Sequence, residues 1–348
     1  MFVHHYQYNV GSRPGVVNLT SRSNNIENVA NIIFNTPTTK EVNVECTPYT
    51  LQILSVLNQI PHVPRLVLKG FSETFTWYDT IFNFLRTNST VSDLCIDIQN
   101  FQKWNEFVQV LSQNKVITRL EVVGIVPADR PAPAGQGFAQ YIATNTTLKA
   151  LAVCVGDDLC DSGFFDALIK NRTLTWIAID TFLWKPHNKM DPIISKLIAG
   201  NQSLKSLGLS QEIPTSATCS LIAKSLVANT VLTHLECSFQ KVRELNKFVK
   251  EVDQNRSLVS VDFIVMSDRG DVERRFPFIE RNKAIAWKTV HATLLTFTLI
   301  FHRFPPYAIL AIFDVAPFMN LVNYQHKIGL IMSIHTSITK MRQARVVN

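Results

Sequence analysis

The residue types that carry out acid–base, nucleophilic or metal chemistry are present but scattered. Nine histidines and 27 carboxylates are spread along the chain, with no GxSxG, GxxxxGK[ST], HExxH or GxGxxG motif to gather them. His4 and His5 are adjacent, in a start expected to be flexible. Cys46, Cys95, Cys154, Cys160, Cys219 and Cys237 include no CxxC pair, so their spacing suggests neither a zinc site nor a disulfide framework. Such cysteines behave as small buried hydrophobes kept reduced. The acidic run Gly156-Asp157-Asp158-Leu159-Cys160-Asp161 lacks the spaced alternation of a calcium loop. It fits a turn entering a helix, with Ser162 as N-cap. The expectation is a chain that is not an enzyme and holds no metal or cofactor.

Composition is that of a globular protein, with 46% hydrophobic and 18% charged residues. The formal charge of +7 is uneven: residues 241–348 hold 16 Lys and Arg against 9 Asp and Glu, and the rest cancels. That excess is too diffuse to imply nucleic acid. The opening MFVHHYQYNVGSRPG has no apolar run of the secretory kind. The expected location is therefore cytoplasmic or nuclear, not secreted.

Order appears at a longer scale. The pattern Asn-x-x-Φ-x-x-Φ-x-Φ, with Φ apolar or Cys, starts at Asn88, Asn114, Asn145, Asn171, Asn201, Asn229 and Asn255, at intervals of 26 to 31 residues. A decayed copy opens at Asn282, and looser copies lie around Val42–Val44 and Val63–Leu68. Before each Asn is a stretch with apolar residues three and four apart, such as Phe165, Leu168 and Ile169, which predicts an amphipathic helix. After it comes an alternating run, which predicts a strand. Asn suits the turn between them because it tolerates the left-handed conformation that often ends a helix. One such unit cannot bury both its helix stripe and its strand face, but stacked units can.

These repeats resemble the ribonuclease-inhibitor-like class of leucine-rich repeats. The resemblance implies an α/β solenoid, a horseshoe with a parallel sheet inside and helices outside, and a role in protein binding. It covers residues 26 to about 290. The Asn that follows the strand in that family is mostly replaced, here by Gln99, Ile125, Gly156, Phe182, Glu212 and Gln240. The expected domains are a cap or flexible segment at 1–25, the solenoid at 26–287 and a helical C-terminal region at 288–348. Asn-x-Ser/Thr at Asn88, Asn145, Asn171, Asn201 and Asn255 falls on the repeat turn, so it reads as repeat and not as glycosylation signal.

Strand alternation assigns residues to the concave face. On it fall Glu41 and Glu45; Arg65, Val67, Lys69; Asp93, Cys95, Asp97; Arg119, Glu121, Val123; and Ala150, Ala152, Cys154. Then come Trp176, Ala178, Asp180; Ser206, Gly208, Ser210; His234, Glu236, Ser238; and Ser260, Asp262, Ile264. Eight carboxylates oppose three Lys and Arg there, which favours a protein partner with a basic patch and disfavours phosphate backbones. Trp176 is the expected anchor, with Arg119, Glu121, Asp180, His234, Glu236 and Asp262 around it. The alternative is that a loop covers Trp176 and the acids are merely solvated.

Two long loops, 124–137 and 181–191 (with Trp184 and His187), suit either binding or tolerated surface variation. Beyond residue 288 the chain is more apolar, but Lys288, His291, His302, Arg303, the Pro305-Pro306 pair and Asp314 interrupt any run long enough for a membrane. Short helices capping the solenoid are expected. Phe304-Pro305-Pro306-Tyr307-Ala308-Ile309-Leu310-Ala311-Ile312-Phe313 resembles the opening of an F-box, which would imply docking of a ubiquitin-ligase adaptor through Phe304, Pro305, Ile309, Ile312 and Phe313. A SOCS-box lacks its Cys, since Thr298 stands at that place.

Overall fold

The computed structural model describes residues 16–19, 33, 35, 38–47, 50–60, 63–71, 76–97, 103–124, 133–154, 163–180, 190–213, 216–239, 242–265 and 279–284. The chain forms two compact units, 1–274 and 275–348. The first is an α/β leucine-rich-repeat solenoid. Its strands are β1 Val16–Leu19, β2 Glu41–Glu45, β3 Arg65–Lys69, β4 Asp93–Asp97, β5 Arg119–Val123, β6 Ala150–Cys154, β7 Trp176–Asp180, β8 Ser206–Ile213, β9 His234–Phe239 and β10 Ser260–Val265. The intervening helices are α1 Leu54–Leu57, α2 Tyr78–Thr87, α3 Trp104–Gln113, α4 Pro133–Thr144, α5 Phe164–Lys170, α6 Met190–Gly200, α7 Ser216–Ala228 and α8 Val242–Val252.

All ten strands are parallel neighbours in chain order. A right-handed crossover between parallel neighbours that always step the same way puts every helix on one face of the sheet. Side chains on that face are sealed: Leu66, Leu68, Leu94, Ile96, Leu120, Leu151, Ile177, Leu207 and Leu235 have no exposed area. Aromatic rings join one repeat to the next beneath the helices, with Trp104 5.3 Å from Phe138 and Phe138 5.7 Å from Phe164 between ring centres. Among the described residues, the opposite face carries no helix.

The repeat Asn has a different job from the one expected. Asn88, Asn114 and Asn171 have φ of −59°, −74° and −64° with ψ of 124°, 132° and 136°. This is extended backbone, not left-handed. What the turn needs is the amide side chain. In Asn201, Oδ1 accepts from the backbone N–H of Ser203 at 2.8 Å and Leu204 at 2.7 Å. Its Nδ2 donates to the Leu168 carbonyl at 2.7 Å and the Asn171 carbonyl at 3.3 Å. Asn201 therefore closes its own turn and ties it to the previous repeat. Asn171, Asn229 and Asn255 do the same. The Asn88 amide instead donates within its own turn, to the Val91 carbonyl at 2.7 Å. The five Asn-x-Ser/Thr asparagines are all buried, so the folded solenoid offers none of them as a glycan acceptor.

Other departures follow from local geometry. The sheet starts upstream of residue 26, because Val16–Leu19 pairs with Glu41–Val44. β8 has a register shift between Leu209 and Glu212, so Glu212 and not Ser210 pairs with Ser238. Such bulges insert unpaired residues and bend the strand. In the second unit, residues 279–284 are helical and Asn282 lies inside that helix, so the decayed copy does not repeat the turn. Cys46, Cys95, Cys154, Cys219 and Cys237 are free and buried. Residues 1–15, most of both long loops, the acidic run with Cys160 and the region 288–348 lie outside the described residues. Among those described, no helix is long and apolar enough to cross a membrane.

Asn201→Ala should destabilise the solenoid by about 2–3 kcal/mol in urea unfolding, since it leaves two N–H groups and two carbonyls without partners in a buried turn. The exposed neighbour change Gln202→Ala should stay within about 0.5 kcal/mol. Equal effects of the two would show that the Asn side chain does not hold the turn.

Candidate partner-binding face

The register places the predicted face residues in rows across the strands. One row reads Glu41, Arg65, Asp93, Arg119, Ala150, Trp176, Ser206, His234, Ser260. The next reads Asn43, Val67, Cys95, Glu121, Ala152, Ala178, Gly208, Glu236, Asp262. Glu121, Asp180, Glu236, Asp262, His234, Arg119 and Trp176 thus share one surface, as the alternation predicts. Much of the middle row is not solvent-facing, although Asp262 at its end is exposed. Val67, Cys95, Ala152 and Glu236 are buried, because longer neighbours lean over them.

The first row alternates in charge, and opposite charges on adjacent strands attract. Arg65 is the hub. Its Nε lies 3.0 Å from Glu41, Nη1 2.9 Å from Asp93 and Nη2 2.9 Å from Glu121. Burial works against the Arg65 charge, but Asp93 and Glu121 outweigh it and hold the guanidinium more firmly protonated than usual. Burial pushes the Asp93 carboxyl up from its ordinary value, and attraction to Arg65 and then Arg119 recovers only part of that. Arg65 was assigned to this face without a role. The signal for its role was Glu-Arg-Asp-Arg at one repeat position, visible once the copies are aligned. Asn43, at the edge of the second row and also missed, donates its Nδ2 to Asn18 Oδ1 at 2.8 Å.

Trp176 is half-buried. Among the described residues, the Arg119 guanidinium carbon sits 4.7 Å from the ring centre. Strands β5 and β7 are two steps apart, roughly 10 Å. Arg119 crosses that gap because Ala150 between them is only a methyl group. Further along, His234 Nε2 lies 3.7 Å from Asp262. Glu236 reaches over Gly208, where a Cβ would stand 3.7 Å from its Oε2. Asp180 is half-buried beside Cys154 on the third row. The face therefore has a tied N-terminal half and a low, acidic C-terminal half floored by Ala150, Ala152, Ala178 and Gly208. Among the described residues, no His, Cys, Asp and Glu group is arranged to hold a metal ion. The adaptor-docking residues Phe304, Pro305, Ile309, Ile312 and Phe313 lie outside the described residues.

No protein-family profile matches the sequence. No curated protein matches it either. Among solved structures, the chain is similar to the leucine-rich-repeat protein LegL7 of Legionella pneumophila, with 13% identity, a TM-score of 0.46, and 72% of this chain and 90% of that one covered. It is also similar to the tropomodulin C-terminal domain of Caenorhabditis elegans, with 15% identity, a TM-score of 0.36, and 48% and 99% covered. Leiomodin-1 actin-binding site 2 matches at 18% identity and a TM-score of 0.35, with 45% and 91% covered. The fold assignment rests on the strand register and the repeat, not on these matches.

Arg65→Met should leave Glu41, Asp93 and Glu121 facing one another. The expected loss at pH 7.5 is about 2 kcal/mol, or roughly 4–8 °C in melting temperature. Acidification through the carboxylate range should narrow it. Asp93 already takes its proton more readily folded than unfolded, so falling pH favours the folded variant. A deficit unchanged by pH would mean that Arg65 acts through packing alone.

Proposed function

We propose that this protein is a non-enzymatic interaction scaffold whose solenoid binds a protein partner with a basic patch on the open face of its sheet. The observation that carries this is the C-terminal half of that face. On β6 to β10, the same face carries Trp176, Asp180, Glu236 and Asp262, and no Lys or Arg occupies the described rows. A tryptophan at the centre of a charged surface is the residue type most able to anchor a partner. Carboxylates on such a face steer basic surfaces and repel phosphates. Helix-bearing repeats of 26 to 31 residues support placement in the ribonuclease-inhibitor-like class. The buried thiols Cys46, Cys95, Cys219 and Cys237 suit a reducing compartment.

A photo-crosslinking side chain placed at Ser206, on the face, should give protein adducts in cells that one at the exposed helix position Lys224 does not. Trp176→Ala and Asp180→Lys should each remove those adducts, and raised salt should weaken them. Identical adducts from Ser206 and Lys224, or adducts indifferent to both substitutions, would defeat the proposal. The F-box-like resemblance at 304–313 is tested in the same cells. Adaptor subunits captured by the whole chain should disappear when it ends at residue 299.

A further inference from the structure

The turns that lead into β4 to β10 are 89–92, 115–118, 146–149, 172–175, 202–205, 230–233 and 256–259. They carry Lys115, Lys149, Arg172, Lys205 and Arg256 but no Asp or Glu. Lys170, just before Asn171, adds a sixth cation. Lys205 is half-buried and the other five are exposed. The carboxylates that flank these turns are Asp93, held by Arg65 at 2.9 Å, and Asp253, ahead of the last turn. Surface lysines elsewhere sit against carboxylates: Lys103 on Glu106, Lys196 on Asp166 and Lys283 on Glu280. Among the described residues, no carboxylate lies within ion-pair distance of the six edge cations. The helix dipole accounts for Lys170, in the last turn of α5. That effect fades within the last turn, so it does not account for Lys149 and Lys205 at the strand entrances.

This edge is level. The first residues of β2 to β10 pair directly, with no stagger from strand to strand. The residue before each strand continues the ladder. The carbonyls of Ser92, Thr118, Lys149, Thr175, Lys205 and Thr233 accept from the first N–H of the next strand at 2.9–3.1 Å. Every turn therefore ends at one height along the strand direction. From β5 to β10 is five strand steps, so the cations spread along about 24 Å.

We propose that this turn edge docks on the surface of an anionic lipid bilayer. A level edge meets a flat partner with all its cations at once. An extended acidic peptide is one chain wide and follows a single row, and a nucleic-acid duplex curves away. Single-stranded nucleic acid is held by bases stacked on aromatic rings, and these turns contain no Phe, Tyr or Trp. The same lack leaves no ring to insert among acyl chains, so the contact is electrostatic and with headgroups. Each cation near an anionic leaflet is worth about fivefold in partition. Docking stands the strands upright on the membrane and leaves the open face clear, so it does not depend on what that face binds.

The test sediments the full chain with vesicles of phosphatidylserine and phosphatidylcholine in equal parts, and with vesicles of phosphatidylcholine alone. The wild type should sediment with the first and not the second, and raised salt should release it. Lys115→Glu, Lys149→Glu and Lys205→Glu together should lower partition by about a hundredfold, from three lost contacts alone. Lys103→Glu, Lys224→Glu and Arg243→Glu make the same charge change away from the edge and should cost less than about tenfold, since screening weakens distant charges. The matching Gln substitutions replace the edge triple should it lose its circular dichroism. Equal losses from the two triples would show that net charge and not this edge holds the protein. A glutamate homopolymer or a single-stranded oligonucleotide, bound as tightly as the mixed vesicles through the same three lysines, would overturn the lipid assignment. A wild type that leaves the mixed vesicles in the pellet alone would overturn the proposal outright.

Discussion

The asparagine at the end of each helix is the constraint on which the solenoid depends. Where a helix gives way to a strand, carbonyls and N–H groups are left over in a turn that stacking then seals from water. One amide side chain meets both needs, accepting from its own turn and donating to the turn before it. Serine and threonine two residues on add a second link, as when Ser203 Oγ donates to the Asn171 carbonyl at 3.1 Å. Because the donors reach one repeat back, turn spacing is locked to strand spacing. Helices may then differ in length, from seven residues in α5 to 13 in α7, without disturbing the register. The family's usual ladder after the strand is largely missing here, and this ladder at the other end of the strand supplies the tie.

An ordered register is also what makes the open face work as a surface. A parallel sheet normally has both faces covered. Here, among the described residues, helices cover only one face. Rows of identical repeat position place charges about one strand apart, so Glu41, Arg65, Asp93 and Arg119 neutralise one another and lie flat over Val67 and Cys95. Cys95 shows the effect: burial and then the nearby Glu121 push its thiol well above the ordinary range. It is filler beneath a lid of salt bridges, not a reactive group.

Strands, helices and face membership were legible because they follow from period alone: two for a strand, between three and four for a helix, about 28 for the repeat. What was not legible depends on contacts between repeats or on exceptions to the period. The Asn turn was misread because a side chain reaching the previous repeat leaves no trace in its own copy. The first strand, Val16–Leu19, lacks the Asn-x-x-Φ lead and so gave no signal. Ser210 was assigned to the face by counting in twos, and the bulge in β8 defeats that count. The burial of the middle row depends on which long side chains lie across it, a property of the assembled sheet.

The contact between Arg119 and Trp176 is the clearest case of a feature hidden at that level. Nothing in the β5 segment Arg119–Val123 or the β7 segment Trp176–Asp180 alone suggests that they touch, since they are 57 positions apart when counted from Arg119 to Trp176. Their contact requires a small residue between them, and Ala150 is that residue. A larger side chain at 150 would part the arginine from the ring. The same methyl that permits the contact therefore also fixes its character. It sets the guanidinium on the ring face, with one long contact to Asp93 on its other side.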